Sequence, residues 1–169
     1  MMSLFARFAD SPWLQWPARP LVIGLSLAAL VGCSMGRDDL AANKLSKSEV
    51  QSSSFLRLNA DKPGAKVELK RFLVPGKYTL VVYFSPYDGV GPTLEGPLLK
   101  LSQTAEGPAV RTINVNRANV QGIDWQSPAL EDVQCQALPY FRIYDPSMRL
   151  RAHGRPAYEQ VSQWLQYLN

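Results

Sequence analysis

The spacing of apolar and polar residues divides the chain into three stretches. Residues 21–32, "LVIGLSLAALVG", are apolar or small without interruption. As a helix these twelve residues rise only about 18 Å, short of the roughly 30 Å core of a bilayer. Residues 34–64 are polar and rich in Ser, Asn, Asp and Lys. They read as a tether with an r.m.s. span of roughly 30 Å, in which Leu40, Leu45 and Val50 support one short helix.

From Lys66 the pattern tightens. "KVEL", 66–69, reads as a short strand, and "VPGK", 74–77, as a turn set by Pro75 and Gly76. "YTLVVYF", 78–84, and "AVRTINV", 109–115, are near-continuous apolar and β-branched runs, the pattern of strands buried on both faces. A glycine-bearing loop leads from the first of them into "TLEGPLLKLSQ", 93–103, a helix broken into by Gly96-Pro97. "SPALEDVQ" starts a short helix with Ser127 as cap and Pro128 at its first position. "PYFRIYD" alternates Tyr140, Arg142 and Tyr144 against Phe141 and Ile143, and "MRLRAHG" returns as its hairpin partner. Tyr158, Val161, Leu165 and Leu168 form an amphipathic stripe on a last helix. The order predicts an α/β domain with a mixed sheet of about four to five strands, parallel across the helical crossovers and ending in an antiparallel hairpin.

Composition adds bounds. The 169 residues are 46% apolar, 19% charged and 10% aromatic, ordinary globular chemistry. The net charge of +4 is scattered among acids, which argues against a nucleic-acid-binding face. The apolar run 21–32 has the length of a signal-peptide h-region and ends in Leu30-Val31-Gly32-Cys33. That ending resembles the bacterial lipobox. The resemblance implies cleavage before Cys33, acylation of that residue, and attachment to a membrane through lipid. Ser34 in place of an aspartate implies, by the same analogy, the outer membrane, facing the periplasm. The expected division is a signal peptide over 1–32, a lipidated Cys33 and tether over 33–64, and a folded domain over 65–169. A non-cleaved anchor is the other reading of the apolar run.

With Cys33 acylated, Cys135 is the sole remaining thiol, so no internal disulfide or cysteine-based metal cluster is expected. His153 is the only histidine and has no adjacent acid, so no metal site is expected from it. "GVGPTLEG" matches neither a dinucleotide fingerprint nor a P-loop, and no cofactor is expected.

"LVVYF" followed by a loop and a proline-bearing helix, "INVNRANVQGIDWQSPAL", and "QALPYFRIYDPSMRLRAHG" together resemble the thioredoxin-like fold over roughly residues 66–168. The resemblance implies a cis peptide at Leu138-Pro139. It also marks where the family's Cys-x-x-Cys falls: at Gly89 and Pro92 counting from Phe84 and Pro97, or at Asp88 and Gly91 in a rival register. Neither contains sulfur, and Tyr83 stands where the family keeps a buried acid. Thiol–disulfide exchange requires an attacking thiolate and a resolving thiol.

The expected function is therefore a redox-inactive, thioredoxin-like binding domain for an extended protein or peptide segment in the cell envelope. Its contact residues are expected to be Tyr87, Asp88, Gly89, Val90, Trp125, Leu138 and Pro139. Two alternatives stay open. One is a thiol–disulfide oxidoreductase working through Cys135 alone, against a reading of Cys135 as a buried core residue. The other is a structural lipoprotein whose old active-site face has no ligand.

Overall fold

A computed structural model describes residues 42–168. The expected signal segment and Cys33 fall outside the described residues. Five strands form one mixed sheet in the order β1-β3-β2-β4-β5. They are β1 (Phe55–Arg57), β2 (Thr79–Phe84), β3 (Ala109–Asn114), β4 (Tyr140–Tyr144) and β5 (Leu150–His153), and the helices are α1 (Lys47–Ser52), α2 (Gly91–Gln103) and α3 (Arg155–Gln166). β3 runs parallel to both β1 and β2; β4 is antiparallel to β2, and β5 to β4. The Leu138-Pro139 peptide is cis. The α/β architecture with a mixed sheet ending in an antiparallel hairpin, expected from the sequence, is the one observed.

The period-two alternation of the strands sorts their side chains onto two faces. Leu80, Val82, Val110, Phe141 and Ile143 pack under Leu98 and Leu101 of α2 and Ala157 and Val161 of α3. Val81, Tyr83, Ile113, Tyr140 and Tyr144 line the opposite face. Trp164 and Leu165 of α3 and Leu168 just past it lean on the core, while Tyr158 is exposed and lies tilted against Phe141. Pro97 sits inside α2, which continues through it, and the expected helix after Ser127 is a single 3-10 turn, Pro128–Leu130.

The domain starts earlier than residue 65. Residues 42–64, expected as tether, carry α1 and β1 and cover the second face with Ala42, Val50 and Leu58. A capping box starts α1: Ser46 Oγ accepts from Glu49 N–H, and the Glu49 carboxylate accepts from Ser46 N–H at 2.8 Å. The apolar residues of this stretch form no sustained period, so its composition reads as linker although Ala42, Leu45, Val50, Phe55, Leu56 and Leu58 all pack on the core. "KVEL" is correspondingly not a strand. The place beside β3 is taken by Phe55–Arg57, while Val67 and Leu69 pack on the core ahead of a 3-10 turn, Leu69–Phe72.

Arg111 holds this arrangement. Its side chain is fully buried in β3, between β1 and β2. Nε donates to the Phe72 carbonyl at 3.0 Å, and the two terminal nitrogens donate to the carbonyls of Val50, Ser53 and Val110 at 2.9–3.1 Å. The Val50 and Ser53 carbonyls lie at the C-terminal end of α1, where the helix dipole favours a cation. Burial pulls the Arg111 pKa down to about 10, which leaves it charged at neutral pH.

Replacing Arg111 by Met removes its donors from these carbonyls, and each carbonyl left buried without another donor costs about 1–3 kcal/mol. Urea unfolding of Arg111→Met is expected to show a loss of roughly 3–5 kcal/mol once partial relaxation is allowed for. Arg111→Lys is expected to recover little, because an ammonium lacks the planar fork that reaches separate carbonyls.

Candidate functional site

β2 and β3 end side by side at Phe84 and Asn114, and Tyr83 pairs with Tyr140 at the start of β4. Three segments therefore leave the same end of the sheet: the loop 85–90 after β2, the loop 115–125 after β3, and residues 138–139 before β4. The fold thus brings every expected contact residue to one pole.

The loop 85–90 is held from within. Asp88 accepts through one carboxylate oxygen from Ser85 N–H at 3.0 Å, and through the other from Val90 N–H at 2.9 Å and Gly91 N–H. The last two are orphan donors at the start of α2, so Asp88 caps that helix from two residues outside it. The rival register for the missing cysteines places the first of them here. What occupies the position is an inward-facing carboxylate with both oxygens engaged. A Cβ on Gly91 would meet the Asp88 carboxylate oxygens at 2.8 and 2.9 Å and Phe84 Cβ at 2.9 Å, so glycine is required for the carboxylate to close on the helix. Gly89, at φ +76°, has open space where a Cβ would stand.

A second set of bonds ties the loop to its neighbour. Buried Ser85 donates from Oγ to Asn116 Oδ1 at 2.6 Å and accepts from Tyr87 N–H at 3.0 Å. Asn116 in turn donates to the Gly122 carbonyl. Asn59 bonds both the N–H and the C=O of Asn114, at 2.9 and 2.8 Å, and Asn114 Oδ1 accepts from Asn116 N–H. Asp124, almost fully buried, takes Arg117 at 2.6 and 3.0 Å, and the guanidinium holds its carboxyl below the usual carboxylate range. Ser85, Asn59, Asn114, Asn116 and the Arg117–Asp124 pair were not singled out from the sequence. Their one sequence signal is the asparagines that close the apolar run of β3 in "INVN".

On this scaffold Tyr87, Val90 and Trp125 are 53%, 45% and 47% exposed, high for large apolar side chains on immobilised loops. Leu138 and Pro139 are half-buried, and Leu138 leans on the core. Among the described residues, neither the N–H nor the C=O of Leu138 has a hydrogen-bond partner.

The remaining chemistry is sparse. Cys135 is half-buried against the core, donates from Sγ to the Ala137 carbonyl at 3.2 Å, and has its thiol pKa pushed up by burial. A raised pKa lowers the thiolate fraction that attack on a disulfide needs. His153 is exposed at the end of β5, as expected of a strand-end residue, and its Nδ1 shares a hydrogen bond of 2.9 Å with Tyr140 Oη. Among the described residues no three His, Cys, Asp or Glu side chains gather as a metal site.

Burial pushes Tyr83 up to about 12. It also raises Tyr140 and Tyr144. The folded state thus keeps neutral phenols that the unfolded chain ionises near pH 10. This contribution is fully present below pH 10 and is lost as pH rises from there through about 12. Urea midpoints measured across that range are expected to fall steeply, and Tyr83→Phe is expected to flatten the fall. For the loop, Asp88→Ala is expected to cost about 1–3 kcal/mol and to speed hydrogen exchange at the Val90 and Gly91 amides.

No family model matches the chain, and no curated protein matches it. Among solved structures, a designed protein is similar at 14% identity and a TM-score of 0.38, over 56% of this chain and 82% of its own. Thioredoxin from Malassezia sympodialis (Mala s 13) is similar at 17% and 0.37, over 56% and 78%. The J-Trx1 fragment of ERdj5 is similar at 16% and 0.35, over 66% and 53%. The architecture assigned to this chain rests on its own strand order and pairing, a five-stranded mixed sheet flanked by helices.

Proposed function

We propose that this chain is a lipid-anchored envelope protein whose thioredoxin-like domain binds an extended protein segment without thiol–disulfide chemistry. The observation that carries the proposal is the unpaired N–H and C=O of Leu138, set at the same pole as exposed Tyr87, Val90 and Trp125. An extended segment laid beside Leu138 satisfies both groups as an added strand would, and the three apolar side chains supply contact area. The bonds of Asp88, Ser85 and Asn116 lower the ordering cost of binding, because the loops are held before the partner arrives. Gly89 leaves room for a close backbone approach. Asp88 enters as the residue that shapes the loop, and Pro139 fixes the entry to β4. The helix amides that would attract an anion are already occupied by a carboxylate. The raised thiol pKa and core packing of Cys135 favour its reading as a core residue over the one-cysteine oxidoreductase. Acylation of Cys33 and a periplasm-facing outer-membrane position belong to the same proposal and rest on the lipobox resemblance.

The test is photocrosslinking in the intact envelope, with a photoreactive residue at Tyr87, at Trp125, or at exposed Gln163 on α3 as control. Tyr87 and Trp125 are expected to capture the same protein, with crosslinks mapping to one stretch of it and Gln163 silent. Capture from Tyr87 is expected to fall about tenfold in Val90→Ala with Trp125→Ala, two truncated contacts at roughly 0.7 kcal/mol each. Equal labelling at all three positions, or none at any, would overturn the proposal.

A further inference from the structure

The hairpin between β4 and β5 carries an apolar tip that core packing does not explain. Met148 is the one non-glycine residue with positive φ, 62°, among the described residues. It closes the turn, donating N–H to the Asp145 carbonyl at 2.8 Å, while Asp145 N–H donates to the Arg149 carbonyl at 2.9 Å. The Asp145 carboxylate adds bonds from Ser147 N–H and Arg149 N–H, at 2.8 and 3.0 Å. Glycine or asparagine is the usual residue at such a position, and a large side chain there costs backbone strain. That side chain is not spent in the core: Met148 is 43% exposed and Leu150 42%. Residues 146–151 are all exposed, with Pro146, Met148 and Leu150 alternating with Ser147, Arg149 and Arg151. Arg149 meets Asp145 at 3.3 Å, and with its own side chain 79% exposed its guanidinium stays open to another anion.

The tip stands at the pole opposite the candidate binding face. Thr79, at the start of β2, pairs with Tyr144, whereas the binding loop follows the end of β2. The Gly76 N–H donates to the Pro146 carbonyl at 2.9 Å, which brings the turn carrying Lys77 to the same pole. A six-residue strand separates the two poles by about 20 Å.

We propose that this tip rests on an anionic lipid surface, the bilayer that holds the acyl chains of Cys33. Met148 and Leu150 enter the boundary between headgroups and acyl chains, and Arg149, Arg151 and Lys77 meet lipid phosphates. The inference rests on the anchoring reading. Nine residues lie between Cys33 and the first described residue, Ala42, counting Ala42 itself. Even fully extended they reach only roughly 30 Å, so an acylated Cys33 keeps the domain close to the bilayer. A second copy is a poorer occupant, since pairing the exposed β5 edges of two copies would bring their arginines together. Contact through the tip turns the binding face away from the membrane, toward the space in which a partner approaches.

The test uses the acylated chain with Cys135→Ala and one fluorophore, at Ser147→Cys on the tip or at Gln121→Cys on the exposed loop at the binding pole. The chain is reconstituted into phosphatidylglycerol–phosphatidylcholine vesicles or into phosphatidylcholine alone, each containing headgroup-spin-labelled lipid. The tip probe is expected to be quenched several-fold more than the loop probe in the anionic vesicles. Phosphatidylcholine alone, or Arg149→Gln with Arg151→Gln, is expected to remove most of that difference. Equal quenching at both probes on vesicle-bound chain overturns this inference and leaves anchoring intact. A chain that does not partition into vesicles overturns the anchoring reading and this inference with it. In intact envelopes, a photoreactive group at Ser147 that captures an acidic protein and no lipid assigns the surface to a protein and overturns the inference.

Discussion

The Arg111 guanidinium is buried on the covered face of the sheet; among the described residues no carboxylate bonds to it, and four backbone carbonyls take its place. Two of those carbonyls belong to the end of α1 and the residue just past it, one to the 3-10 turn before β2, and one to β3 itself. The side chain therefore joins three parts of the chain that are distant in sequence, and it does so where water cannot substitute. A buried ion is tolerated only when its donors are satisfied, and here the carbonyls at a helix C-terminus supply part of the compensating negative potential. Arg111 thus ties the segments that cover the second face of the sheet to β3.

The candidate site relies on the same kind of internal satisfaction. Asp88 turns its charge into the loop, and Arg117 neutralises Asp124 beside it. Ser85 and Asn116 join the loops after β2 and β3. Several polar groups at this pole bind one another, and Tyr87, Val90 and Trp125 project outward among exposed polar residues such as Asn119 and Gln121. Such a surface suits main-chain pairing and apolar contact better than attack on a bond. The two poles of the sheet thus differ in chemistry: loops tied by internal hydrogen bonds at the strand ends, and an apolar tip edged with arginine at the hairpin.

The central strands, both main helices, the final hairpin and the absence of cysteines from the loop were legible in the sequence. Each rests on local periodicity or on direct inspection of residues. "YTLVVYF" and "AVRTINV" are apolar on both faces because helices or covering segments lie on both sides of them. Tyr87, Val90 and Trp125 could be named from their place in the expected order of elements. The contribution of residues 42–64 was hidden because Ala42, Val50, Phe55 and Leu58 are too sparse for a periodic signal. Their packing is made with β3, more than fifty residues away, and Arg57 reaches across to Glu95 on α2.

By itself the sequence determined the alternation of strands and helices, the missing thiols and the apolar residues available for contact. These depend on side-chain type and near-neighbour spacing, which are local. Only the tertiary structure decided that Arg111 is buried, that Asp88 caps α2 instead of facing a ligand, and that Met148 and Leu150 stand at the pole opposite Tyr87. Those outcomes depend on which carbonyls, amides and strands meet across the fold, and hydrogen-bond satisfaction in a buried site is settled only when distant segments come together.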